Sequence, residues 1–337
     1  MLLSVLDQSV AASGRSEDSS IRETLALAAH CEKLGYHRFW VSEHHSHPSI
    51  VGSAPEVLMA AIAATTSRIR IGSAGVMLPH YSALKVAEQF RVLEALAPGR
   101  IDLGVGRAPG SDMRTARVLR NDPRQSADNF PIQVRELQAW VGGVELPEGH
   151  PGHGVTANPT GPTTPDLWML GSSDYGAQLA AHYGLPYAFA WFITDGQGAA
   201  QALELYRRLY QPSARHPEPQ ALLCVWALAA DTEAEAWAHF SSRERWKLDR
   251  NRGAQGALPS PAESALRPHS PAEHIEVTAM RATALVGTGV QVAKKLRALA
   301  DTHEVNELAI ITWTHDPAAQ RRSYELLAQE FSLTPDC

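Results

Sequence analysis

Arg107 ends the run Gly-Arg-Ile-Asp-Leu-Gly-Val-Gly-Arg, in which Ile101, Leu103 and Val105 alternate with polar or small residues. That alternation predicts a short strand, and Gly104 and Gly106 let another group come close to its backbone. A guanidinium at the carboxyl end of a buried strand can receive an anionic ligand, or pair with an acid at the mouth of the sheet. Gly171-Ser172-Ser173 stands at a second strand-to-helix junction. Backbone N–H groups at such a helix start converge on one spot and the hydroxyls add donors, so this turn and Arg107 make a phosphate cradle. The competing reading is that Ser173 caps its own helix, with Asp174 in the first turn opposing a bound anion.

Glu43-His44-His45-Ser46-His47 follows another strand. The His45-x-His47 spacing suits some metal-dependent barrel hydrolases, which need further ligands at other strand ends. The other strand ends supply serines and aromatics instead, so no metal site is expected. A single neutral imidazole used for proton transfer fits better, because its pKa lies near working pH. An ordinary surface loop accounts for His47 and extends to His45. Ser73-Ala74-Gly75 places three tiny side chains at a third strand end, a flat wall for a planar ring. Trp191 and Phe192 face that wall or belong to the core. An anion cradle, a flat slot and one proton-handling imidazole fit a phosphorylated planar cofactor such as FMN.

The elements that position these residues alternate along the chain. Strands are predicted over 2–6, 38–42, 69–76, the stretch before Arg107, 167–170, 187–190, 222–230 and 307–312, with helices between them. Ser20-Ile-Arg-Glu23 has capping-box form at the first helix, Pro55 opens the second, and Asp316-Pro317 caps the last. Eight strands in this rhythm predict an α/β fold, a (β/α)8 TIM barrel; an open doubly wound sheet is the rival and usually has fewer strands. No GxGxxG follows the first strand. The rhythm loosens twice, after strands four and seven. The excursion over 108–165 carries one helix near 125–141, and 253–273, rich in Gly, Pro and Ser, reads as a flexible lid. One barrel domain therefore spans 1–337.

The 337 residues, 44% hydrophobic and 20% charged, suffice for a sizeable core. A net charge of −6 without a basic cluster argues against a nucleic-acid surface. Cys31, Cys224 and Cys337 are far apart and fit buried thiols and a tail residue in a reducing compartment. The apolar start lacks a basic lead, and no run is long enough to cross a bilayer, so a cytoplasmic protein with no membrane partner is expected.

Glu43-His44-His45, Ile71-Gly-Ser-Ala-Gly-Val76, the run ending at Arg107 with its continuation to Asp112, and Leu170-Gly-Ser-Ser-Asp174 together resemble the bacterial-luciferase-like flavin-dependent monooxygenases. The likeness is to a non-luminescent, single-chain subgroup and covers essentially the whole chain. It implies a barrel that binds reduced FMN and uses O2 to oxygenate a small organic substrate, served by a separate flavin reductase and assembled as a homodimer. By position, His44 matches the active-site histidine and Glu43 an acid bordering the flavin pocket. Ala74-Gly75 falls where luciferases have a non-proline cis peptide under the flavin ring. Arg107, Ser172 and Ser173 match the phosphate-binding residues, and Gly176 stands where another side-chain donor can occur. Gly106 replaces the reactive thiol of true luciferases and Ser172 replaces an acid, so light emission and a long-chain aldehyde substrate do not carry over. Rival functions are an F420-dependent oxidoreductase transferring a hydride, a metal-dependent barrel hydrolase, and a flavin-binding protein without catalysis.

Overall fold

Period-2 patterning divides each strand between two cores. Leu3 and Val5 of β1 (Leu2–Asp7), Phe39 and Val41 of β2 (Arg38–Val41) and Leu308 and Ile310 of the last strand pack in the larger cluster, with the helices. Leu6, Trp40, Ala309 and Ile311 alternate with them and fill the other cluster, inside the barrel. Such alternation is what a closed sheet wrapped by helices requires.

A computed structural model describes residues 1–108, 110–120 and 127–335. Strands β3 (Arg70–Met77), β4 (Ile101–Gly106), β5 (Asp166–Gly171), β6 (Tyr187–Phe189) and β7 (Ala221–Ala230) follow β1 and β2. The parallel ladder runs from β1 through β7, and β9 (Glu307–Ile311) closes it between β7 and β1. This is the expected TIM barrel of eight strands. A ninth strand, β8 (Leu285–Thr288), was not expected. Among the described residues it pairs only with Ala227–Ala230, the end of β7 that projects beyond the pairing with β9. Its residues Leu-Val-Gly-Thr end in a glycine and in the N-cap of the next helix, so neither alternation nor a compact apolar run marks it in the sequence.

Helices α1 (Glu17–Leu34), α2 (Pro55–Thr65) and α3 (Ala83–Leu96) cover the first half of the barrel. The first begins earlier than Ser20: Ser16 is its N-cap, and the Ser20 hydroxyl instead donates to the Val10 carbonyl at 2.8 Å. The excursion after β4 contains α4 (Met113–Leu119), missed in the sequence, and α5 (Phe130–Gly142). The expected start of that second helix at residue 125, like Pro109 and Cys337, lies outside the described residues. Helices α6 (Asp174–His182), α7 (Trp191–Thr194) and α8 (Ala199–Leu209) follow β5 and β6. After β7 come α9 (Glu233–Asn251), α10 (Pro261–Ala265) and α11 (Pro271–Thr283); α12 (Gly289–His303) and α13 (Pro317–Glu330) complete the ring.

The stretch 253–273 departs from the aperiodic loop expected there. Ser260 and Ser270 each form a capping box, with Glu263 and Glu273, and start α10 and α11. Leu258 is fully buried and bridges Ala12 near the first strand. Both capping boxes were legible as Ser-x-x-Glu, but the Gly and Pro content hid them.

The amino-terminal end of the barrel is sealed by buried charge. Arg38 donates to Asp102 and to Glu307, both at 2.8 Å, and Arg70 donates to Asp102 at 2.5 Å. Trp40 Nε1 adds a 2.9 Å bond to Asp102, and the Ser4 hydroxyl meets Glu307 at 2.5 Å. Burial opposes ionisation of Asp102, but Arg38 and Arg70 outweigh it and hold its carboxyl below the usual carboxylate range. Above this layer, Trp40 and Trp168 meet edge to face at 5.3 Å. Gly72 leaves the space that Trp40 fills, since a side chain there would strike the indole. Replacing Asp102 with Asn would leave two guanidiniums short of a counter-charge. Urea denaturation should then show a loss of about 3 kcal/mol or more, whereas a loss under about 1 kcal/mol would show that the layer is not structural.

Candidate active site

A cavity of about 480 Å³ opens at the carboxyl ends of the strands. Its size falls in the ~300–1,000 Å³ range of small-molecule sites. The fold supplies it from nearly every strand: Leu6 in β1 and Gln8 after it, His44 after β2, Ala74 and Gly75 in β3, Arg107 after β4, and Ser172 and Ser173 after β5. Gly176, Cys224, Trp226 and Trp313 continue the lining. Seven of the eight site residues expected from the sequence therefore share one cavity.

Glu43 is the exception. Its side chain is buried and does not line the cavity. One carboxylate oxygen accepts from the Met77 backbone N–H at 3.0 Å; the other accepts from the Tyr81 hydroxyl and meets His45 Nε2, both at 2.6 Å. Glu43 thus ties the loop after β2 to the end of β3, one layer behind the wall. His45 is consumed by the same bond. His47, read as a surface residue, does line the cavity. Its Nδ1 accepts the backbone N–H groups of Ser49 and Ile50, both at 3.1 Å. Among the described residues no three His, Cys, Asp or Glu side chains converge in metal-ligand geometry.

The β3 wall is flat for steric reasons. The Ala74–Gly75 peptide is cis, and the β3–β4 register shifts between Ser73 and Val76. A Cβ on Gly75 would come within 2.7 Å of the Gly104 carbonyl oxygen and strike the end of Leu170. On Gly104 it would strike the Ser73 carbonyl. Gly75 and Gly104 therefore allow two strand ends to nest closely while leaving no side chain over the ledge.

The neighbouring rim, after β4 and β5, holds donors with no internal partner among the described residues. Ser173 is the N-cap of α6, yet its hydroxyl makes no capping bond. Asp174, the expected competitor for an anion, accepts from Gln201 Nε2 at 2.7 Å. Arg107 has no acidic partner among the described residues; its guanidinium lies 4.0 Å from the centre of the Tyr175 ring, which sequence reading missed. An uncommitted helix start, hydroxyls and a guanidinium fit a phosphate. With the bare ledge between β3 and β4, the residues fit a phosphorylated planar group. Gly176 is not sterically required, since a Cβ there would make only ordinary contacts, the nearest at 3.4 Å.

His44 stands between these features. Its Nδ1 lies 3.3 Å from the Ser42 hydroxyl, and its backbone N–H donates to Gly52 at 2.9 Å. Burial foremost, then the neighbouring His47 and His45, pushes its pKa down to about 4. At neutral pH it is an uncharged imidazole, suited to accepting a proton or holding a hydrogen bond.

Comparison with known proteins agrees with this architecture. The profile of the luciferase-like monooxygenases matches residues 1–303. The chain belongs to that family. The luciferase-like monooxygenase of Escherichia coli (strain K12) is 39% identical, over 96% of this chain and 95% of that one. N-acetyl-S-alkylcysteine monooxygenase of Bacillus subtilis (strain 168) is 36% identical, over 97% of each. The crystal structure of apo-MsnO8 shares 36% identity and a TM-score of 0.90 over 99% of both chains. Two more distant structures share the fold alone. The oxygenating constituent of 3,6-diketocamphane monooxygenase from Pseudomonas putida, in complex with FMN, is 19% identical (TM-score 0.71, covering 100% of this chain and 98% of that one). An F420-dependent secondary alcohol dehydrogenase is 16% identical (TM-score 0.67, covering 96% and 97%). No described helix is long and apolar enough to cross a membrane.

The depressed pKa of His44 has a thermodynamic consequence. An unfolded histidine titrates near ~6.5, so between there and about 4 the unfolded chain holds more protons than the folded one. Stability should fall as pH drops through that window. His44→Asn should flatten the fall by on the order of 2 kcal/mol, allowing for the solvent that reaches part of the ring. Thermal unfolding from pH 7 to 4 measures this; parallel curves for the two proteins would place the titration elsewhere.

Proposed function

We propose that this chain is an FMN-dependent monooxygenase that uses reduced FMN and O2 to oxidise a small organic substrate. The observation that carries the reading is the uncommitted cradle of Arg107, Ser172 and Ser173 facing the same cavity as the bare Ala74–Gly75 ledge. Family membership supports the reaction class. The family resemblance, rather than any feature of the cavity, supports a separate flavin reductase as source of reduced FMN, a homodimer and a cytoplasmic setting.

In this reading Arg107 and the amino terminus of α6 hold the phosphate, with the Ser172 and Ser173 hydroxyls as further donors. Tyr175 holds the guanidinium at the rim by a cation–π contact. Ala74 and Gly75 accept the ring against the ledge, and Glu43 fixes that ledge by holding the Met77 backbone. Bound reduced FMN supplies the two electrons with which one oxygen atom of O2 enters the substrate and the other leaves as water. His44, neutral and with only Nδ1 engaged among the described residues, accepts or relays a proton at Nε2. Phe192, Trp226, Trp246 and Trp313 wall the cavity with apolar surface and keep water from the reacting centre.

Anaerobic titration with reduced FMN, and in parallel with F420, tests the cofactor. FMN should bind and F420 should not; the reverse would favour hydride transfer with the deazaflavin. Arg107→Ala should weaken FMN binding about 10- to 100-fold, the scale of one lost charge-assisted contact. His44→Ala should leave FMN affinity nearly intact while product formation drops at least about tenfold. Unchanged turnover in His44→Ala would remove the imidazole from the mechanism.

A further inference from the structure

Helix α9 carries a pattern that the cofactor site does not use. Four of its charged side chains are paired: Glu244 with Arg281 at 2.5 Å, Arg245 with Glu273 at 3.0 Å, Lys247 with Asp195 at 2.6 Å, and Asp249 with Arg267 at 2.7 Å. Arg243 and Arg250 have no acidic partner among the described residues. Arg243 is only 9% exposed, makes no side-chain hydrogen bond among them, and lies with its guanidinium 4.4 Å from the centre of the Trp226 ring. Arg250 stands seven residues on, 5.3 Å from the Trp246 ring, its one side-chain hydrogen bond a 3.5 Å contact to the neighbouring Asn251 amide. Both arginines and both indoles line the cavity.

A guanidinium removed from water without a counter-charge is unfavourable, and it is ordinarily offset by an ion pair or a ligand. Asp195, whose negative charge acts on Arg243, is already engaged by Lys247. Burial lowers the pKa of Arg243 only to about 10, so it remains a cation at neutral pH. The spacing puts Arg243, Trp246 and Arg250 on one face of the helix. Trp246 meets Trp313 edge to face at 4.6 Å, so the charges are set in an aromatic wall. Strands β5 and β6 separate this wall's parent strand, β7, from β4, which delivers Arg107. The cavity is thus lined by two sets of cations from different parts of the barrel, and the phosphate cradle accounts for one.

We propose that Arg243, assisted by Arg250, receives an oxyanion group of the organic substrate, a carboxylate or sulfonate borne on a small apolar body. The word substrate rests on the monooxygenase reading, but the anion site itself does not. The planar fork of Arg243 offers paired N–H donors to such a group, while Trp226, Trp246 and Trp313 contact the apolar remainder.

Calorimetric titration of the FMN-loaded protein with 4-phenylbutyrate, 3-phenylpropane-1-sulfonate and the neutral 4-phenylbutyramide tests the site. At least one anion should bind about tenfold or more tighter than the amide, and the tighter anion identifies the group. Arg243→Met should reduce that anion to the affinity of the amide while FMN affinity stays within about twofold, and Arg243→Lys should keep part of the preference. Equal binding of amide and anions by the unmodified protein overturns the proposal and needs no variant. So does a preference that survives Arg243→Met, or a loss of FMN affinity in that variant matching Arg107→Ala, which would assign Arg243 to the cofactor. If FMN itself does not bind, the monooxygenase reading fails, and the same titrations on the cofactor-free chain still decide the anion site.

Discussion

The carboxylate of Asp102, fully buried between the guanidiniums of Arg38 and Arg70 and capped by the Trp40 indole, closes one end of the barrel. Glu307 and Ser4 extend the same layer across to β9 and β1. Charge held this far from water is tolerable only when every partner is in place. Consequently the interior is filled from below by ions and then by tryptophans, and the cavity opens at the carboxyl ends. The polarity of the barrel, and with it the location of the site, follows from where the chain invests its buried charge.

At the open end the division of labour is between residues that touch the cavity and residues that hold them. His44 reaches it, while Glu43 and His45 are spent on one another and on the Met77 backbone. Adjacent positions after a strand point to opposite sides, so a run of three ionisable residues yields one facing group and two supports. Desolvation then removes the positive charge from His44, leaving the imidazole in the form that can take a proton. The same packing leaves Gly75 and Gly104 nested against each other's strands. Steric economy and electrostatics act on one small area.

The two sets of cations lining the cavity differ in origin. Arg107 and Ser173 sit at strand-to-helix junctions, where an anion is received by local backbone geometry and the helix dipole. Arg243 and Arg250 instead project from one helix face and owe their freedom to the pairing of each charged neighbour around them. Their cation–π contacts with Trp226 and Trp246 hold the guanidiniums without neutralising them. A cavity lined by two separate sets of cations and by aromatic surface favours ligands that are amphipathic.

Local patterning determined much of this protein on its own. Alternation in the strands, Gly stops and Pro starts announced the eight barrel strands; the carboxyl-end rule then gathered His44, Ala74, Gly75, Arg107, Ser172 and Ser173 at one mouth, and the family resemblance added Gly176. These are properties of neighbours along the chain, readable because period and turn chemistry are local. Strand β8, half of it Gly and Thr, and the seven-residue helix α4 showed no period, and the capping boxes at Ser260 and Ser270 were masked by composition. Which charges are paired was not legible at all. Arg243 looks like Arg245 in the sequence, and Glu43 looks as able to face a ligand as His44. Only the tertiary structure, by bringing Glu273 to Arg245 and Met77 to Glu43 and bringing no acid to Arg243, distinguished them. Pairing between side chains depends on the three-dimensional meeting of segments far apart in the chain, and no local pattern encodes that meeting.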